Sequence, residues 1–197
     1  MSLDQPDERH PDHPISSQFP ARWSPRSFTG REVTVAEVMS LLEAARWAPS
    51  ASNQQPWRLI WARRGEDSFA AIHSALAPGN QIWAGQAGAL IVVASKDTVT
   101  NRDGADVANR TAGFDAGAAW ASMALQAQYM GLAAHAMGGF DKESLAAAVG
   151  LPVDHTLHCV VAVGEQGPAD ALPEDLRARE KPSGRKPVEE IAVHGQF

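Results

Sequence analysis

Residues 114–130, FDAGAAWASMALQAQYM, consist almost entirely of Ala, Met, Leu, Trp and Gln, and they are predicted to form a helix that ends at Gly131. Apolar residues fall on nearly every side of this helix rather than along one stripe. A helix of this kind is typical of the middle of a large core or of a subunit interface, because no face of it favours water. The rest of the chain is therefore expected to pack around it.

Shorter elements are predicted on both sides of the central helix. One helix begins at Thr34, because Thr34 and Glu37 match the capping-box spacing, and it ends before Pro49. Strands are predicted at residues 57–62, 88–95, 133–140, 156–163 and, as a final edge strand, 188–193, with short helices at 67–76 and 141–149. The order of these elements does not repeat as regular strand–helix–strand units, which favours an α+β layered domain. Residues 95–113 are polar and show no strong periodicity.

The length of 197 residues, with 44% apolar and 20% charged content, fits one compact domain with a real core. Residues 1–20 are predicted to be a flexible arm, too polar to bury and too rich in proline to be helical. Residues 21–197 are predicted to form the single domain.

Charge and cysteine content exclude several classes of protein. A net charge of −6 argues against a nucleic-acid partner, and the single cysteine, Cys159, can form no intrachain disulfide or cysteine-rich metal site. The longest purely apolar run, residues 89–94, is far shorter than the roughly 20 residues of a membrane-spanning helix. The first residues also lack the apolar core of a signal peptide, so a soluble cytoplasmic protein is expected.

Familiar catalytic motifs are absent from the sequence. It contains no G-x-G-x-x-G after a strand, no P-loop, no H-E-x-x-H and no G-x-S-x-G elbow. A nicotinamide cofactor would therefore have to bind without a Rossmann site.

Two basic clusters lie near opposite ends of this acidic chain. Residues 22–26, RWSPR, place two guanidinium groups and a hydroxyl close together, and residues 184–187, GRKP, form the second cluster. Arginine suits phosphate because its planar fork donates two charge-assisted hydrogen bonds at once. The two clusters together could converge on one phosphate dianion.

A third polar segment, residues 49–57 with the sequence PSASNQQPW, follows the first long helix. It displays several hydrogen-bonding side chains between two prolines, where a bare turn would need only one Gly or Asn. This composition indicates that the side chains of the segment bind another group through hydrogen bonds.

These segments resemble the FMN-dependent nitroreductase family. Four motifs occur in that family's order: R-x-S-x-R, P-S-x-x-N-x-Q-P-W, the alanine-rich helix that leads to a Gly-Gly turn, and R-K-P before the last element. The resemblance spans residues 22–197. It implies a nitroreductase-like fold, with a central, mostly antiparallel sheet flanked by helices, in an intertwined homodimer with two FMN sites at its interface.

The resemblance also implies the ligands of the flavin phosphate. Arg22, Ser24 and Arg26 match the motif that grips this phosphate, and Arg185 matches the arginine that joins them from the C-terminal side. Trp23 stands where the family often has Arg or His, and its contribution is expected to come from the backbone.

Other positions match residues that contact the flavin ring. Ser50 and Asn53 correspond to residues that reach across from the partner subunit, and Asn80 to the one that hydrogen-bonds the pyrimidine end. The loop along the ring corresponds to Met137, Gly138 and Gly139, with a backbone N–H at flavin N5. From the residues alone, Asn80 could equally cap a helix or form a turn, and the glycine pair could be a plain turn.

The reaction implied is electron transfer from NADH or NADPH to a nitroaromatic or quinone-type acceptor by a ping-pong mechanism. The chemistry belongs to the cofactor, so no side chain is assigned as a catalytic residue and no metal is expected. Two alternatives stay open: another flavin reaction of the same fold, such as reductive dehalogenation, azoline oxidation or flavin fragmentation, and a non-catalytic flavin-binding dimer. Residues 95–113, which correspond to the substrate cover, do not distinguish between them.

Overall fold

The computed structural model describes residues 9–196 and contains one four-stranded antiparallel sheet with the order β1-β2-β6-β5. The strands are β1 (Trp57–Arg63), β2 (Ala89–Lys96), β5 (Ala133–Met137) and β6 (His155–Gly164), and a separate hairpin joins β3 (Thr98–Thr100) to β4 (Asp106–Ala108). The helices are α1 (Gln18–Ala21), α2 (Val35–Arg46), α3 (Asp67–Ser74), α4 (Pro78–Ala84), α5 (Ala112–Tyr129), α6 (Lys142–Val149), α7 (Glu174–Arg177) and α8 (Val188–Ile191).

Helices cover both faces of the sheet. Along β2, Leu90 and Val92 pack with residues of α3, α4 and α6, whereas Ile91 and Val93 pack with α2 and α5. The alternation follows from the two-residue period of a strand, and the continuous apolar run is what a strand buried on both faces requires. The α+β prediction, with an antiparallel central sheet flanked by helices, is confirmed.

The central helix α5 begins two residues before its predicted start. Small residues, among them Ala116 and Ala119, are buried beside Met123 against the sheet. The opposite side still carries large apolar groups, since Phe114 is 82% exposed and Tyr129 is 80% exposed. The structure thus confirms a helix with apolar residues on more than one side.

The predicted helix caps are also present. The Glu37 backbone N–H donates to Thr34 Oγ1 at 3.2 Å, and the Thr34 N–H donates to the Glu37 carboxylate at 2.8 Å. At α6, Asp141 accepts the Ser144 N–H at 2.8 Å, and Gly150 closes the helix with φ of +60°. At each helix a short polar side chain at the N-cap, Thr34 or Asp141, accepts a backbone N–H of the first turn that has no partner within the helix.

Two local predictions, the strand at residues 188–193 and the non-helical arm, were wrong. Residues 188–193 contain α8 instead of an edge strand, because Pro187 starts a helix whose first turn carries the favourable acidic pair Glu189 and Glu190. Residues 95–113 contain the β3–β4 hairpin, whose turn is held by Asn101 Oδ1 accepting two backbone N–H groups. The predicted arm includes most of α1, where Pro20 lies in the first turn and needs no helical donor. Residues 1–8 of that arm lie outside the described part of the chain.

Within residues 9–196, no helix is long and apolar enough to cross a membrane. The same residues include no cluster of three or more His, Cys, Asp or Glu side chains arranged to hold a metal ion.

Candidate functional site

A cationic cavity of about 320 Å³ lies at the edge strand β5, where segments from both ends of the chain meet. His135 of β5 fixes the first segment, because its Nδ1 lies 2.9 Å from the carbonyl oxygen of Pro25. The cavity is lined by Arg9, Arg22, Trp23, Ser24, Arg26, His135, Arg179, Lys181, Ser183 and Arg185. The structure therefore brings together the predicted residues Arg22, Trp23, Ser24, Arg26 and Arg185.

The guanidinium groups in this cavity repel one another. Burial lowers the pKa of Arg22, and the positive charges of Arg185 and then Arg9 lower it further. Within the site, Arg22 Nη1 donates to Ser24 Oγ at 3.3 Å, so the hydroxyl and the guanidinium face the same space. Like charges gathered at a half-buried site are costly unless an anion compensates them, so an anionic ligand would relieve the repulsion in this cavity.

Glu180 anchors the N-terminal side of the cavity, and sequence reasoning missed it. Its Oε1 accepts the backbone N–H groups of Arg26 at 2.7 Å and of Ser27 at 2.9 Å. The other oxygen, Oε2, lies 3.7 Å from Arg26 Nη1 and has no hydrogen-bond partner among the described residues. The Glu180 side chain is only 2% exposed, so this buried carboxylate fixes the position of the backbone at Arg26 and Ser27.

His135 was also missed as a member of this cavity. Burial is the main cause that lowers its pKa, with a further contribution from the charge of Arg26. Its ring packs against Trp83 at 4.7 Å between centroids. Because a carbonyl can only accept, Nδ1 carries the hydrogen donated to Pro25, and the neutral ring can accept at Nε2. No periodicity or motif marks this residue in the sequence.

A second group of predicted residues lies just past the end of β5. Asn80, which belongs to α4, donates from Nδ2 to the carbonyl oxygen of Gly139 at 2.9 Å. A Cβ at Gly139 would lie 3.1 Å from that amide nitrogen, whereas a Cβ at Gly138 would meet nothing within 4 Å. Met137 is buried beside them. The chain thus leaves an open backbone surface at Gly138 next to an amide side chain.

The same strand joins the two groups. His135 lines the cavity, and Gly139 lies four residues further, or roughly 13 Å at about 3.3 Å per extended residue. The cationic cavity, or anion cavity, and the open backbone surface at Gly138 therefore lie along the same edge of the sheet.

Ser50 and Asn53 do not line the cavity. They lie in the turn after α2, where Ser50 Oγ accepts the Gln55 N–H at 3.0 Å. Three residues of this turn have left-handed backbone conformations, with φ of +51° at Ser52, +54° at Asn53 and +48° at Gln55. Non-glycine residues rarely adopt this region, which costs of order 1 kcal/mol each. The turn is thus exposed and strained, and its residues Ser50 and Asn53 do not join the arginines that line the cavity of the same chain.

The elements that carry these residues also match the sequence model of a protein family. The model of the nitroreductase family matches residues 20–75 and 65–165, which together cover most of the chain. The chain belongs to the nitroreductase family. This match includes the motif at Arg22, the turn after α2, helix α5 and strand β5, and it stops before Glu180 and Arg185.

Solved structures show the nitroreductase fold along nearly the whole chain. The crystal structure of an oxidoreductase containing FMN is 39% identical, with 96% of each chain covered and a TM-score of 0.93. A nitroreductase family protein from Clostridium difficile 630 is 24% identical, with 94% of this chain and 100% of the other covered and a TM-score of 0.71. The "uncharacterized 15.4 kDa protein in ask 5'region" of Mycolicibacterium smegmatis is 34% identical over 71% of this chain and 97% of its own.

Proposed function

We propose that this nitroreductase-family chain binds FMN and transfers electrons from NADH or NADPH to a nitroaromatic or quinone-type acceptor, as a cytoplasmic homodimer working by a ping-pong mechanism. The observation that carries the proposal is the cavity at the edge of β5, where arginines from both ends of the chain converge. The similarity to an oxidoreductase containing FMN, at 39% identity over 96% of both chains, supports it.

The donor set of the cavity fits a phosphomonoester. Arg22, Arg26 and Arg185 supply planar guanidinium forks, and Ser24 supplies a hydroxyl. A phosphate carries about two negative charges and three acceptor oxygens, so it can accept from several of these groups at once. Binding would also relieve the repulsion that lowers the pKa of Arg22.

The residues past β5 fit the flat ring of a flavin. Gly138 offers backbone without a Cβ where no atom would obstruct a planar ligand. Asn80 uses one amide N–H on Gly139, and its second N–H and its oxygen can pair with the pyrimidine edge. Met137, Gly138 and Gly139 would present a backbone N–H to N5 of the ring.

FMN, when bound, supplies the chemistry by accepting a hydride from the nicotinamide and passing electrons to the second substrate. The chain supplies binding and orientation: arginines hold the phosphate, and β5 fixes the distance from phosphate to ring. No side chain at Gly138 or Gly139 can transfer a proton, so the acceptor would be protonated by water.

A homodimer would complete the site. Trp47, at the end of α2, is 74% exposed, and Phe114, on α5, is 82% exposed. Large apolar side chains on two helices that pack together provide a surface suited to a second copy. Such an interface would place Ser50 and Asn53 of one subunit at the flavin of the other.

Anaerobic reduction tests the proposed reaction. The purified protein loaded with FMN is expected to lose its flavin absorbance with NADH or NADPH and to regain it with a quinone. Absence of bleaching with either nucleotide would favour the non-catalytic flavin-binding dimer. Reduction without reoxidation by quinones or nitroaromatics would point to another flavin reaction of the same fold.

Size-exclusion chromatography with light scattering tests the assembly. We expect FMN to travel with the dimer. A monomer that retains one FMN per chain would contradict the shared site.

A further inference from the structure

Arg9 lies at the wall of the anion cavity and binds three backbone carbonyls from two distant segments. Its Nε donates to the carbonyl of Pro20 at 2.8 Å, and its Nη2 donates to the same carbonyl and to that of Arg22 at 2.9 Å. On the other side, Nη1 donates to the carbonyl of Ser183 at 2.8 Å. One planar guanidinium thus joins residues 20–22 to residue 183.

The carbonyls chosen by Arg9 belong to the segments that carry the phosphate arginines. One is the carbonyl of Arg22 itself. The carbonyl of Ser183 also accepts from Arg185 Nη1 at 3.2 Å, so Arg9 and Arg185 share an acceptor. The position of Arg9 therefore sets the separation between Arg22 and Arg185.

A second contact between the arm and the C-terminal segment lies outside the cavity. The backbone N–H of Val188 donates to Asp12 Oδ2 at 2.9 Å, and Asp12 does not line the anion cavity. Asp12 therefore offers a matched control: its removal breaks a contact of the arm at Val188 and leaves the bonds from Arg9 to residues 20–22 and 183 in place.

Arg9 adds its positive charge to the cationic cavity. Its charge is one of the causes that lower the pKa of Arg22. A guanidinium group that only connected two backbone segments would not need to lie near other cations. The guanidinium group of Arg9 lies in the wall of the cavity that the other arginines line. The family match begins at residue 20, so Arg9 lies outside the region that it covers.

We propose that Arg9 is a positioning residue for the cofactor phosphate: it clamps the two ends of the chain at the spacing that lets Arg22 and Arg185 grip one phosphomonoester. This inference rests on the proposed binding of FMN and extends it to a residue of the N-terminal arm. Riboflavin, which lacks the phosphate, should not depend on Arg9.

The experiment compares Arg9→Ala, Arg9→Lys, Asp12→Ala and Arg102→Ala, with Arg102 as an exposed arginine of the β3–β4 hairpin. Dissociation constants for FMN and riboflavin are measured for each full-length variant after thermal melting has shown that it folds. We expect both Arg9 variants to bind FMN at least tenfold more weakly and to bind riboflavin as the wild type does. Lysine should fail because it lacks the planar fork. Asp12→Ala and Arg102→Ala should stay within twofold of the wild type for both ligands.

Hydrogen exchange of the ligand-free proteins provides a measurement that does not depend on flavin. Both Arg9 variants should exchange faster at residues 21, 22 and 188, whose backbone N–H groups donate hydrogen bonds beside the two segments that Arg9 joins. Any of three results would overturn the clamp. These are an unchanged exchange rate in the Arg9 variants, a wild-type affinity for FMN in Arg9→Lys, and an equal loss of affinity for FMN and for riboflavin. If the wild type binds no FMN, the proposed function fails, and the exchange measurement still decides whether Arg9 joins the two segments.

Discussion

The arginine cavity and the turn after α2 contain the two main sets of predicted cofactor residues, and they differ in how complete they are within one chain. In the cavity, residues from positions 22–26 and 185 already meet. In the turn, Ser50 and Asn53 stay away from that cavity, and the backbone is strained at Ser52, Asn53 and Gln55. Both regions cost free energy in the folded chain, the cavity through repulsion between its arginines and the turn through backbone strain. In the proposed function, an anion would compensate the first cost, and a second chain would use the turn.

Charge reversal in the cavity should have the largest effect. Arg185 is exposed and, within residues 9–196, donates only to the backbone carbonyls of Ser183 and Gly184, so Arg185→Glu should fold normally. Its FMN affinity should fall at least about 100-fold, because a charge-assisted contact becomes a repulsion, and each tenfold step is about 1.4 kcal/mol. Fluorescence titration measures the loss. Arg102→Glu is the control, and unchanged binding in Arg185→Glu would remove the phosphate assignment.

Mixed dimers sharpen the comparison between the two regions. Arg185→Glu and Asn53→Asp chains, each unable to hold FMN as a homodimer, are refolded together. If Asn53 acts on the partner's flavin, half of the sites in a mixed dimer combine two intact regions, and those dimers should bind one FMN. Flavin content of isolated mixed dimers measures this. No recovery would place Asn53 and Arg185 on the same site within one chain.

Removal of the carboxylate beneath the arginine motif should have a moderate effect on stability. Glu180→Ala leaves the Arg26 and Ser27 N–H groups without their acceptor. The free energy of unfolding should fall by about 2 kcal/mol, the range for losing charged hydrogen bonds. Urea denaturation measures the change. Glu180→Gln keeps an acceptor oxygen and should lose less, and a change below about 0.5 kcal/mol in Glu180→Ala would contradict the anchor.

A smaller effect should appear in the pH dependence of stability. Burial lowers the pKa of His135 in the folded protein, so the unfolded chain binds a proton at a higher pH than the folded chain does. The free energy of unfolding of the ligand-free protein should therefore decrease as the pH falls below about 6.5, the ordinary value for histidine. His135→Asn should show a shallower decrease. Equal slopes for the two proteins would rule out this contribution of His135.

Sequence reasoning predicted the parts of the fold that depend on local patterns. The capping box at Thr34, the buried run of β2 and the glycine stop after α6 each have a short-range signal, and all are present. Helix α8 was predicted as a strand, because six residues are too few for the spacing of apolar side chains to distinguish a strand from one helical turn.

The candidate site was predictable only where residues matched a motif. Arg22 and Arg185 were identified because arginine is the residue suited to phosphate, and the structure brings them together. Glu180 and Arg9 carry no such signal, since their importance comes from contacts over more than 150 positions in the chain. Pairing across that distance depends on the assembled sheet edge and not on any local pattern.

The central claim is that one cavity, built from both ends of the chain, binds the phosphate of a flavin. Isothermal titration of the ligand-free wild type with FMN and with riboflavin tests it directly. We expect one FMN per chain and an affinity for FMN at least about 100-fold higher than for riboflavin, because several charge-assisted hydrogen bonds to the phosphate are gained. Equal affinities for the two ligands would contradict it.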